Sequence, residues 1–423
     1  MPHLLLLLPS LSYRGEAFLE AAAKVGVSLT VGGESAPDFL GHSPGGFLPL
    51  DLHDPVSAVS AAVEFSNTRP IDVVLGVNDN TTVLASRISA ALGLPSNSID
   101  SVCAARNKHT MRELLRKHGL PTPHVVVYGI DEIPEDIVQH VKFPCILKPL
   151  TLSASCGVIR ADDPESFHKA FIRIRDLLKS LERPGQEEAD RQILIEDFIP
   201  GTEVALEGLL TNGELRPLAM FDKPDPLDGP YFEETIYVTP SRLTPTLQKQ
   251  IHETLAQAAL AIGLREGPVH GELRINDQGV WVIEVAARSI GGKCSRTLQF
   301  GTGMSLEELI LFHALRRELP PLDLREGAAG VMMIPIPKEG ILERVDGQEA
   351  AQQVPGVEEL VMTAEPGDHL IPLPEGTRYL GFIVARRKKP EEVEATLREA
   401  HRRLTVVFNP HTAGPSRPGV FRV

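Results

Sequence analysis

Two glutamates, Glu272 and Glu284, are predicted to face each other across a β-hairpin and could together hold a cation. Directly opposed side chains in antiparallel strands have Cβ atoms roughly 4.5–5.5 Å apart. Two carboxylates about 4 Å apart, at an effective dielectric near 20, repel each other by on the order of 4 kcal/mol. A positive group is therefore expected between them. It is either Arg274, two residues along on the face of Glu272, or a divalent cation.

A divalent cation would imply a cosubstrate that carries phosphate. Two carboxylates with few other protein ligands suit Mg²⁺, because this ion keeps several waters and shares its shell with substrate phosphates; Mn²⁺ is left open. Arg288 lies four residues past Glu284, beyond the predicted strand end, where its planar fork could hold a phosphoryl group. The pattern predicts Mg²⁺-dependent phosphate chemistry, with Arg274 as the structural alternative.

The element that must position the two glutamates is the hairpin itself. Apolar, β-branched runs at 272–276 and 280–285 flank a loop that ends in Gly279. A three-residue hairpin loop usually ends in a residue with positive φ, which glycine accepts without strain, so Asn276 is predicted to pair with Val280. Counting back through this register places the two glutamates opposite each other.

Two lysines lie where an anion would stabilise them. Lys108 is in the first turn of a helix that begins at Asn107, where a cation opposes the helix dipole; a solvated surface charge is the alternative. Lys148 lies within an apolar strand at 143–150, where burial is costly without an anionic partner. The small residues of the loop 151–157 would let backbone N–H groups approach an anion, although a plain turn has the same composition.

A second acidic group surrounds a break between two apolar runs. Residues 193–210 are predicted to form two strands interrupted at Pro200, with Glu196, Asp197 and Glu203 around the interruption. The backbone of an edge strand could recognise a flat base there, and a carboxylate could hold ribose hydroxyls. Taken alone, the pattern is equally that of a hairpin with acidic residues.

Composition limits the classes of function. The chain has 423 residues, enough for two to four domains. Its net charge of −14, without lysine and arginine gathered in a cluster, argues against a nucleic-acid role. The four cysteines show no metal-ligand spacing and are expected to be reduced thiols of a cytoplasmic protein. No stretch is long and apolar enough to suggest a membrane span. The apolar run 4–8 is expected to be a buried first strand.

The first hundred residues alternate strand and helix patterns and predict a small open α/β domain. This domain lacks the GxGxxG fingerprint of a dinucleotide site, which argues against an oxidoreductase. Near the other end, a β-α-β-β-α order is expected beyond residue 330, as in a small layered unit.

The order of these parts resembles the ATP-grasp superfamily. In sequence come Lys108, Lys148, the small-residue loop, the motif Glu-x-x-Ile-x-Gly-x-Glu at 196–203, and the paired glutamates followed by arginine. The resemblance implies an α/β and α+β protein with an N-terminal open α/β domain, a lid subdomain and a C-terminal antiparallel-sheet domain. The expected units are 1–104 (pre-ATP-grasp), 105–206 (central and lid region), 207–328 (catalytic region), 329–410 (small α/β subdomain) and 411–423 (tail).

Carried onto matching positions, the resemblance implies roles for individual residues around ATP and Mg²⁺. The expected nucleotide-binding residues are Lys108, Lys148, Ser153, Ser155, Gly157, Glu196, Asp197, Ile199 and Glu203, and the expected metal ligands are Glu272 and Glu284. Arg288 would steady the transferred phosphoryl group or the oxyanion.

The run Glu-x-Ala-Ala-Arg at 284–288 is similar to that of bacterial L-amino-acid ligases of the bacilysin-synthesis type. In those enzymes an acidic residue faces the amino group of the first substrate, which maps to Glu234. Three positions depart from the known patterns. Tyr237 stands where histidine is frequent, Ala286 where many ATP-grasp enzymes have asparagine, and Gly292 where the bacilysin-type enzyme has tryptophan. The glycine predicts a larger first side-chain pocket.

The resemblance implies that ATP phosphorylates the carboxylate of one amino acid and that a second amine attacks the acyl phosphate, which gives a dipeptide. His270 could take the amine proton, but a structural histidine is the favoured alternative. Two other functions stay open: a ligase or carboxylase for a different carboxylate, and a nucleotide-binding module without turnover. The expected partners are small amino acids, with no nucleic acid and no membrane, and a homodimer is left open.

Overall fold

The computed structural model describes residues 1–9, 12, 14–37, 40–41, 45–182, 186–300, 303–319, 321–322 and 326–409. The expected tail at 411–423 lies outside these residues. The cysteines Cys103, Cys145, Cys156 and Cys294 are all free thiols. Within the described ranges, no helix combines the length and the apolar character needed to cross a membrane.

The N-terminal unit is a parallel sheet with helices packed on it, as the alternating pattern predicts. Its strands follow the order β3-β2-β1-β4, and β1 is fully buried because parallel sheets are covered on both faces. The elements are β1 His3–Leu7, α1 Gly15–Val25, β2 Ser28–Gly33, β3 Phe47–Pro49, α2 Pro55–Thr68, β4 Val73–Gly76 and α3 Asp79–Leu92. Two further helices, α4 Ile99–Arg106 and α5 Lys108–Lys117, leave this unit, and their buried residues share a core with the large antiparallel sheet later in the chain.

A second unit is a four-stranded antiparallel sheet in the order β5-β8-β6-β7, with one long helix packed on it. Its elements are β5 Val125–Gly129, α6 Pro134–Ile137, β6 Cys145–Pro149, β7 Ile159–Ala161, α7 Pro164–Ser180 and β8 Gln192–Asp197. The strand β8 pairs on both sides, with β5 and with β6. The prediction of an edge strand, or of a hairpin with the strand that follows, is therefore wrong.

The third unit is an eight-stranded antiparallel sheet in the order β13-β12-β9-β10-β11-β16-β20-β18. Its first part contains β9 Thr202–Thr211, β10 Glu214–Asp222, β11 Ile236–Thr239, α8 Pro245–Ala261, β12 Gly267–Asn276, β13 Gly279–Ala286, β14 Gln299–Phe300, β15 Met304–Ser305 and α9 Leu306–Ala314. The strand β9 runs through the expected boundary at 206. A shared core that includes Phe18, Phe221 and Phe300 packs the N-terminal unit against this sheet.

The last stretch of chain extends the same sheet. Its elements are β16 Ala328–Ile334, β17 Gly340–Asp346, α10 Gln348–Gln352, β18 Val357–Met362, β19 His369–Leu370, β20 Gly381–Arg387, α11 Pro390–Arg402 and β21 Thr405–Phe408. The strands β16, β20 and β18 continue the large sheet, whereas β17, β19 and β21 form a separate three-stranded sheet that the sequence pattern missed. The expected boundary at 329 therefore lies within one sheet, because strands from both sides of it belong to the same eight-stranded sheet.

The hairpin of β12 and β13 brings the two glutamates together by a route that differs from the prediction. Asn276 pairs with Gly279 rather than with Val280, so the predicted three-residue loop is wrong. A β-bulge farther along, where Ile283 is the extra residue on β13, restores the count. Glu272 therefore does lie opposite Glu284, as predicted.

Candidate active site

All three units contribute to one deep cleft of about 810 Å³. Clefts of this size between domains are the usual place for small-molecule sites. Every residue to which the sequence analysis assigned a nucleotide-binding, metal-binding or catalytic role lines this cleft, except Gly157. The lining residues are Lys108, Lys148, Ser153, Ser155, Glu196, Asp197, Ile199, Glu203, Glu234, His270, Glu272, Glu284 and Arg288.

The two hairpin glutamates share one face of the sheet because residues directly opposite each other point the same way. Each has a different cation beside it. The Lys223 ammonium lies 3.0 Å from Glu272 Oε1, and Arg288 Nη2 lies 3.9 Å from Glu284 Oε1. Lys223 and Arg288 therefore supply the positive charge that was predicted near the two glutamates.

Arg274, the structural alternative, binds elsewhere. It is buried and donates from Nε to Glu203 Oε2 at 2.8 Å and from Nη1 to the carbonyl of Ile199 at 2.7 Å. Its side chain thus holds the start of β9 to the loop before it. Opposed carboxylates on one face of a cleft are oxygen donors of the kind that Mg²⁺ prefers, so the donor set fits this ion.

Lys223, which the sequence reading missed, occupies the centre of three carboxylates. Its Nζ is 2.7 Å from Glu203 Oε1, 2.5 Å from Glu234 Oε1 and 3.0 Å from Glu272 Oε1. Burial acts to lower the pKa of Lys223, but the three acids outweigh it and raise this pKa well above its usual value. Oxygen atoms of these acids lie within 4.8 Å of one another, a spacing suited to a metal ion, but the ammonium occupies that position.

A signal for Lys223 was present in the sequence. The lysine directly follows β10, whose last residues are all buried. The reasoning that predicted an anionic partner for Lys148 therefore applies to Lys223 as well. A charged residue at the end of a buried strand needs a partner.

Lys148 and Lys108 both enter the cleft from the side of the four-stranded sheet. Lys148 is buried and paired with Glu196, which also accepts from Arg112 Nε at 3.2 Å. Burial lowers the pKa of Lys148 despite this partner. Lys108 lies in the first turn of α5, as predicted, and donates to the carbonyl of Leu152 at 2.5 Å. The anionic partner predicted for Lys148 is therefore Glu196.

The small-residue loop has a backbone shape that only a few residue types accept. Ala154 and Ser155 have φ near +56° and +55°, and a Cβ at Gly157 would lie 2.7 Å from Pro149 Cγ. The N–H of Gly157 donates to the carbonyl of Pro374 at 2.7 Å. The loop is thus held by the segment between β19 and β20.

Glu234 has the electrostatic properties of a site residue. It accepts from the Tyr237 hydroxyl at 2.7 Å as well as from Lys223. Burial raises the pKa of Glu234 to about 7. A carboxyl poised near neutrality in a cleft is a functional-site signal. Tyr237, which stands where histidine is frequent, therefore binds Glu234 directly.

His270 is fixed between two acids. Its Nδ1 bonds to Glu207 and its Nε2 lies 3.4 Å from Glu272 Oε1. Burial opposes protonation, but Glu207 outweighs it and the pKa of His270 rises to about 9. A pKa above neutrality favours the imidazolium form of His270, in which both ring nitrogens carry protons and neither can accept one. This arrangement supports the structural role that the sequence left open, and Glu207, another residue that the sequence did not suggest, holds the ring.

The N-terminal unit reaches into the cleft through Asp79, at the start of α3. Its carboxylate accepts from Arg288 Nε at 3.0 and 3.1 Å. Burial would raise the pKa of Asp79, but Arg288 outweighs it and the pKa is lowered. Arg14 from the same unit donates to the carbonyl of Ser289 at 3.2 Å. The first α/β domain thus helps to build the site around Arg288.

Gly292 also lies in the cleft, where the absence of a side chain matters. Its φ is +60°, and a Cβ there would lie 2.4 Å from Met333 Sδ. Met333 on β16 therefore occupies part of the space that a side chain at 292 would take. The larger pocket stays a prediction.

Two family matches define the class of protein. The family described as an ATP-grasp domain matches residues 141–297, and the family described as an ATP-grasp N-terminal domain matches residues 19–96. The chain therefore contains an ATP-grasp domain and an ATP-grasp N-terminal domain. The family described as L-amino acid ligase C-terminal domain 2 matches residues 332–409. The last part of the chain is thus similar to the corresponding domain of L-amino acid ligases.

Similar proteins agree with this assignment. Alanine–anticapsin ligase from Bacillus subtilis strain 168 is 29% identical over 233 residues, which are 52% of this chain and 49% of that protein. The chain thus spans about half the length of that relative. Dapdiamide A synthase from Enterobacter agglomerans is 25% identical over 341 residues, 78% of each chain.

Among solved structures, an L-amino acid ligase from Bacillus licheniformis superimposes with a TM-score of 0.81 at 26% identity, covering 97% of this chain and 99% of that one. An N5-carboxyaminoimidazole ribonucleotide synthetase from Thermotoga maritima has a TM-score of 0.70 at 16% identity, covering 97% of this chain and 100% of that one. The second likeness shows the shared fold alone.

Proposed function

We propose that this protein joins two L-amino acids into a dipeptide at the expense of ATP. The carrying observation is one cleft lined by the two opposed glutamates of the hairpin, by Lys108 and Lys148, and by Arg288. The similarity to alanine–anticapsin ligase and to an L-amino acid ligase supports the choice of amino acids as substrates.

The proposed reaction has two steps. A carboxylate oxygen of the first amino acid attacks the γ-phosphorus of ATP, and ADP leaves. The amine of the second amino acid then attacks the acyl carbon, the bond to the phosphate oxygen breaks, and phosphate and a proton are released. Activation is needed because an unmodified carboxylate would have to expel an oxide.

The protein's part is positioning and charge neutralisation. We assign Lys108 and Lys148, which line the cleft, to the triphosphate and the fork of Arg288 to the transferred phosphoryl group. The buried Lys223 holds Glu272 from within the protein. Glu272 and Glu284 would hold Mg²⁺, which screens the phosphate charge and aligns the reacting groups.

The remaining cleft residues are assigned to the ends of the two substrates. We place the adenine near Glu196, Asp197 and Ile199 and the ribose near Glu203, which already has two cations beside it. Glu234 is assigned to the ammonium group of the first amino acid, since its carboxylate lies inside the cleft.

The test is ADP release measured with Mg²⁺ and ATP across a panel of amino-acid pairs, followed by mass spectrometry of the products. The proposal predicts stimulation by particular pairs and a product of the mass of their dipeptide. ATP binding without ADP release under any pair would instead favour a binding module. Stimulation only by carboxylates that are not amino acids would favour a ligase or carboxylase for a different carboxylate.

A further inference from the structure

The opposition of the two glutamates depends on one extra residue in β13. From the turn, the ladder pairs Asn276 with Gly279 and reaches Leu273 opposite Val282. Without a bulge, the same count would set Glu284 opposite Gly271. A slip of one residue moves a side chain to the other face of the sheet. The bulge at Ile283 is therefore what turns Glu284 toward Glu272.

A single buried guanidinium holds that bulge. Arg112 on α5 is 1% exposed, and its Nη2 donates to the carbonyl of Ile283 at 2.6 Å. A bulged residue is left out of the regular ladder pairing and so depends on other partners for its backbone groups. The side chain of Arg112 supplies that partner from α5, a helix that shares a core with β13.

The same guanidinium reaches the lysine side of the cleft. Arg112 Nε donates to Glu196 Oε2 at 3.2 Å, and the other oxygen of Glu196 binds Lys148. Lys108 lies one helical turn before Arg112 on the same helix. One side chain thus contacts both the strand that carries Glu284 and the acid that orients Lys148.

We propose that Arg112 is a positioning residue that couples the glutamate pair to the phosphate-facing lysines. By fixing the bulge it keeps Glu284 on the face of Glu272, and by fixing Glu196 it keeps Lys148 directed into the cleft. This inference rests on the proposed function, since it assigns the glutamates to a metal and the lysines to the nucleotide.

Lysine cannot replace arginine in this role. The planar guanidinium donates in several fixed directions at once, whereas an ammonium on a flexible stem acts as a point charge. Arg112→Lys keeps the charge beside Glu196 but cannot also hold the carbonyl of Ile283, and Arg112→Met removes both contacts. The two variants therefore separate the effect of charge from that of the bridge.

The experiment measures Mn²⁺ binding to the full-length protein in the presence of ADP, by electron paramagnetic resonance, together with thermal unfolding. The matched control is Arg317→Met, because Arg317 also donates to a backbone carbonyl, that of Val25 at 2.7 Å, but lies outside the cleft lining. Loss of a group that orients a metal ligand typically weakens metal binding about 10–100-fold. We expect a loss of this size for Arg112→Met, a smaller loss for Arg112→Lys and none for the control.

A second measurement separates positioning from general damage. With a productive amino-acid pair, the Mg²⁺ concentration that gives half-maximal ADP release should rise in Arg112→Lys by the factor by which the Mn²⁺ affinity of that variant falls. Saturating Mg²⁺ should recover most of the rate. If Arg112→Lys folds and binds Mn²⁺ with the unmodified protein's affinity, the inference is overturned even where dipeptide formation holds. Absence of Mn²⁺–ADP binding in the unmodified protein would overturn the proposed function and this inference together.

Discussion

At the scale of single residues, the cleft is a balance of buried charges that cancel locally. Lys223 bonds to three acids, of which Glu203 also binds Arg274 and Glu272 also contacts His270, and Asp79 binds Arg288. Unpaired buried charges are strongly unfavourable, so each of these groups depends on its partners. Substitutions here should therefore change stability as well as activity, and the two effects have to be measured separately.

Lys223→Met should destabilise the nucleotide-free protein and make it more responsive to divalent cations. Removing one partner of a buried charge group costs roughly 3–5 kcal/mol, so the melting temperature should fall by several degrees. Mg²⁺ should then raise the melting temperature more in the variant than in the unmodified protein, because a bound ion that replaces the ammonium stabilises the folded state. Thermal scans with and without Mg²⁺ provide the check.

The control for Lys223 is Lys249→Met on the exposed face of α8, whose ammonium makes one surface ion pair at 3.7 Å. It should leave both the melting temperature and its response to Mg²⁺ nearly unchanged. Equal Mg²⁺ responses in Lys223→Met and the unmodified protein would count against the view that the three acids can accept a cation.

The sequence predicted the opposed glutamates correctly although the route to them was wrong. The predicted loop was one residue too long, and the bulge at Ile283 compensated for that error. A bulge leaves no clear mark in a run of apolar residues, so the register could not be read from residue types alone. Lys223 could have been found, because the argument that singled out Lys148 applies to it equally.

At the scale of elements, the small-residue loop is tied to the C-terminal part of the chain. Arg173 on α7 forms two hydrogen bonds to Glu375, one of them 2.8 Å from Nη2 to Oε2, and the neighbouring Pro374 accepts from Gly157. The four-stranded unit is therefore joined to the segment between β19 and β20, whose Glu375 lines the cleft.

Arg173→Met should weaken this junction and raise the KM for ATP about two- to fivefold, with a smaller change in kcat. The pair is partly exposed, so its contribution is on the order of 1 kcal/mol. Lys169→Met, which removes an exposed pair with Glu165 on the same helix, is the matched control. Equal KM values for ATP in the two variants would show that the junction does not act on nucleotide binding.

Some elements were predictable from the sequence and others were not. The helix α5 begins at Lys108, directly after the Asn107 predicted to start it, and the N-terminal alternation of strands and helices is as predicted. The strands of the small three-stranded sheet were missed. The strand β19 has only two residues, and β17 has only one buried residue, so neither gives a clear apolar pattern. The partners of β8 were also mistaken, because sequence adjacency does not reveal which sheet a strand joins.

At the scale of the whole molecule, the N-terminal domain is part of the site rather than an appendage. Asp79 crosses from α3 to Arg288, and Arg14 reaches Ser289. Both contacts fix the segment that follows the glutamate hairpin. The order of motifs along the chain predicted the arrangement of units, whereas domain boundaries could not be read because one antiparallel sheet continues from β9 to β20.

Asp79→Asn should lower kcat by about 10–100-fold, since a hydrogen bond between charged groups contributes roughly 1.5–3 kcal/mol. The KM for ATP should change less, because Arg288 is assigned to the reacting phosphoryl group rather than to the base or ribose. Steady-state kinetics separate the two constants. The control is Asp72→Asn, whose carboxylate accepts from the backbone of His3 inside the same unit at 2.7 Å. Equal kcat values for the two variants would show that Asp79 does not contribute to the reaction.

The most direct test of amino-acid ligation through an acyl phosphate is the fate of the carboxylate oxygen. The first amino acid of a productive pair is labelled with ¹⁸O in its carboxylate, and the released phosphate is analysed by mass spectrometry. The account predicts phosphate that carries one oxygen from the amino acid, in step with dipeptide formed. Dipeptide formed alongside unlabelled phosphate would contradict it.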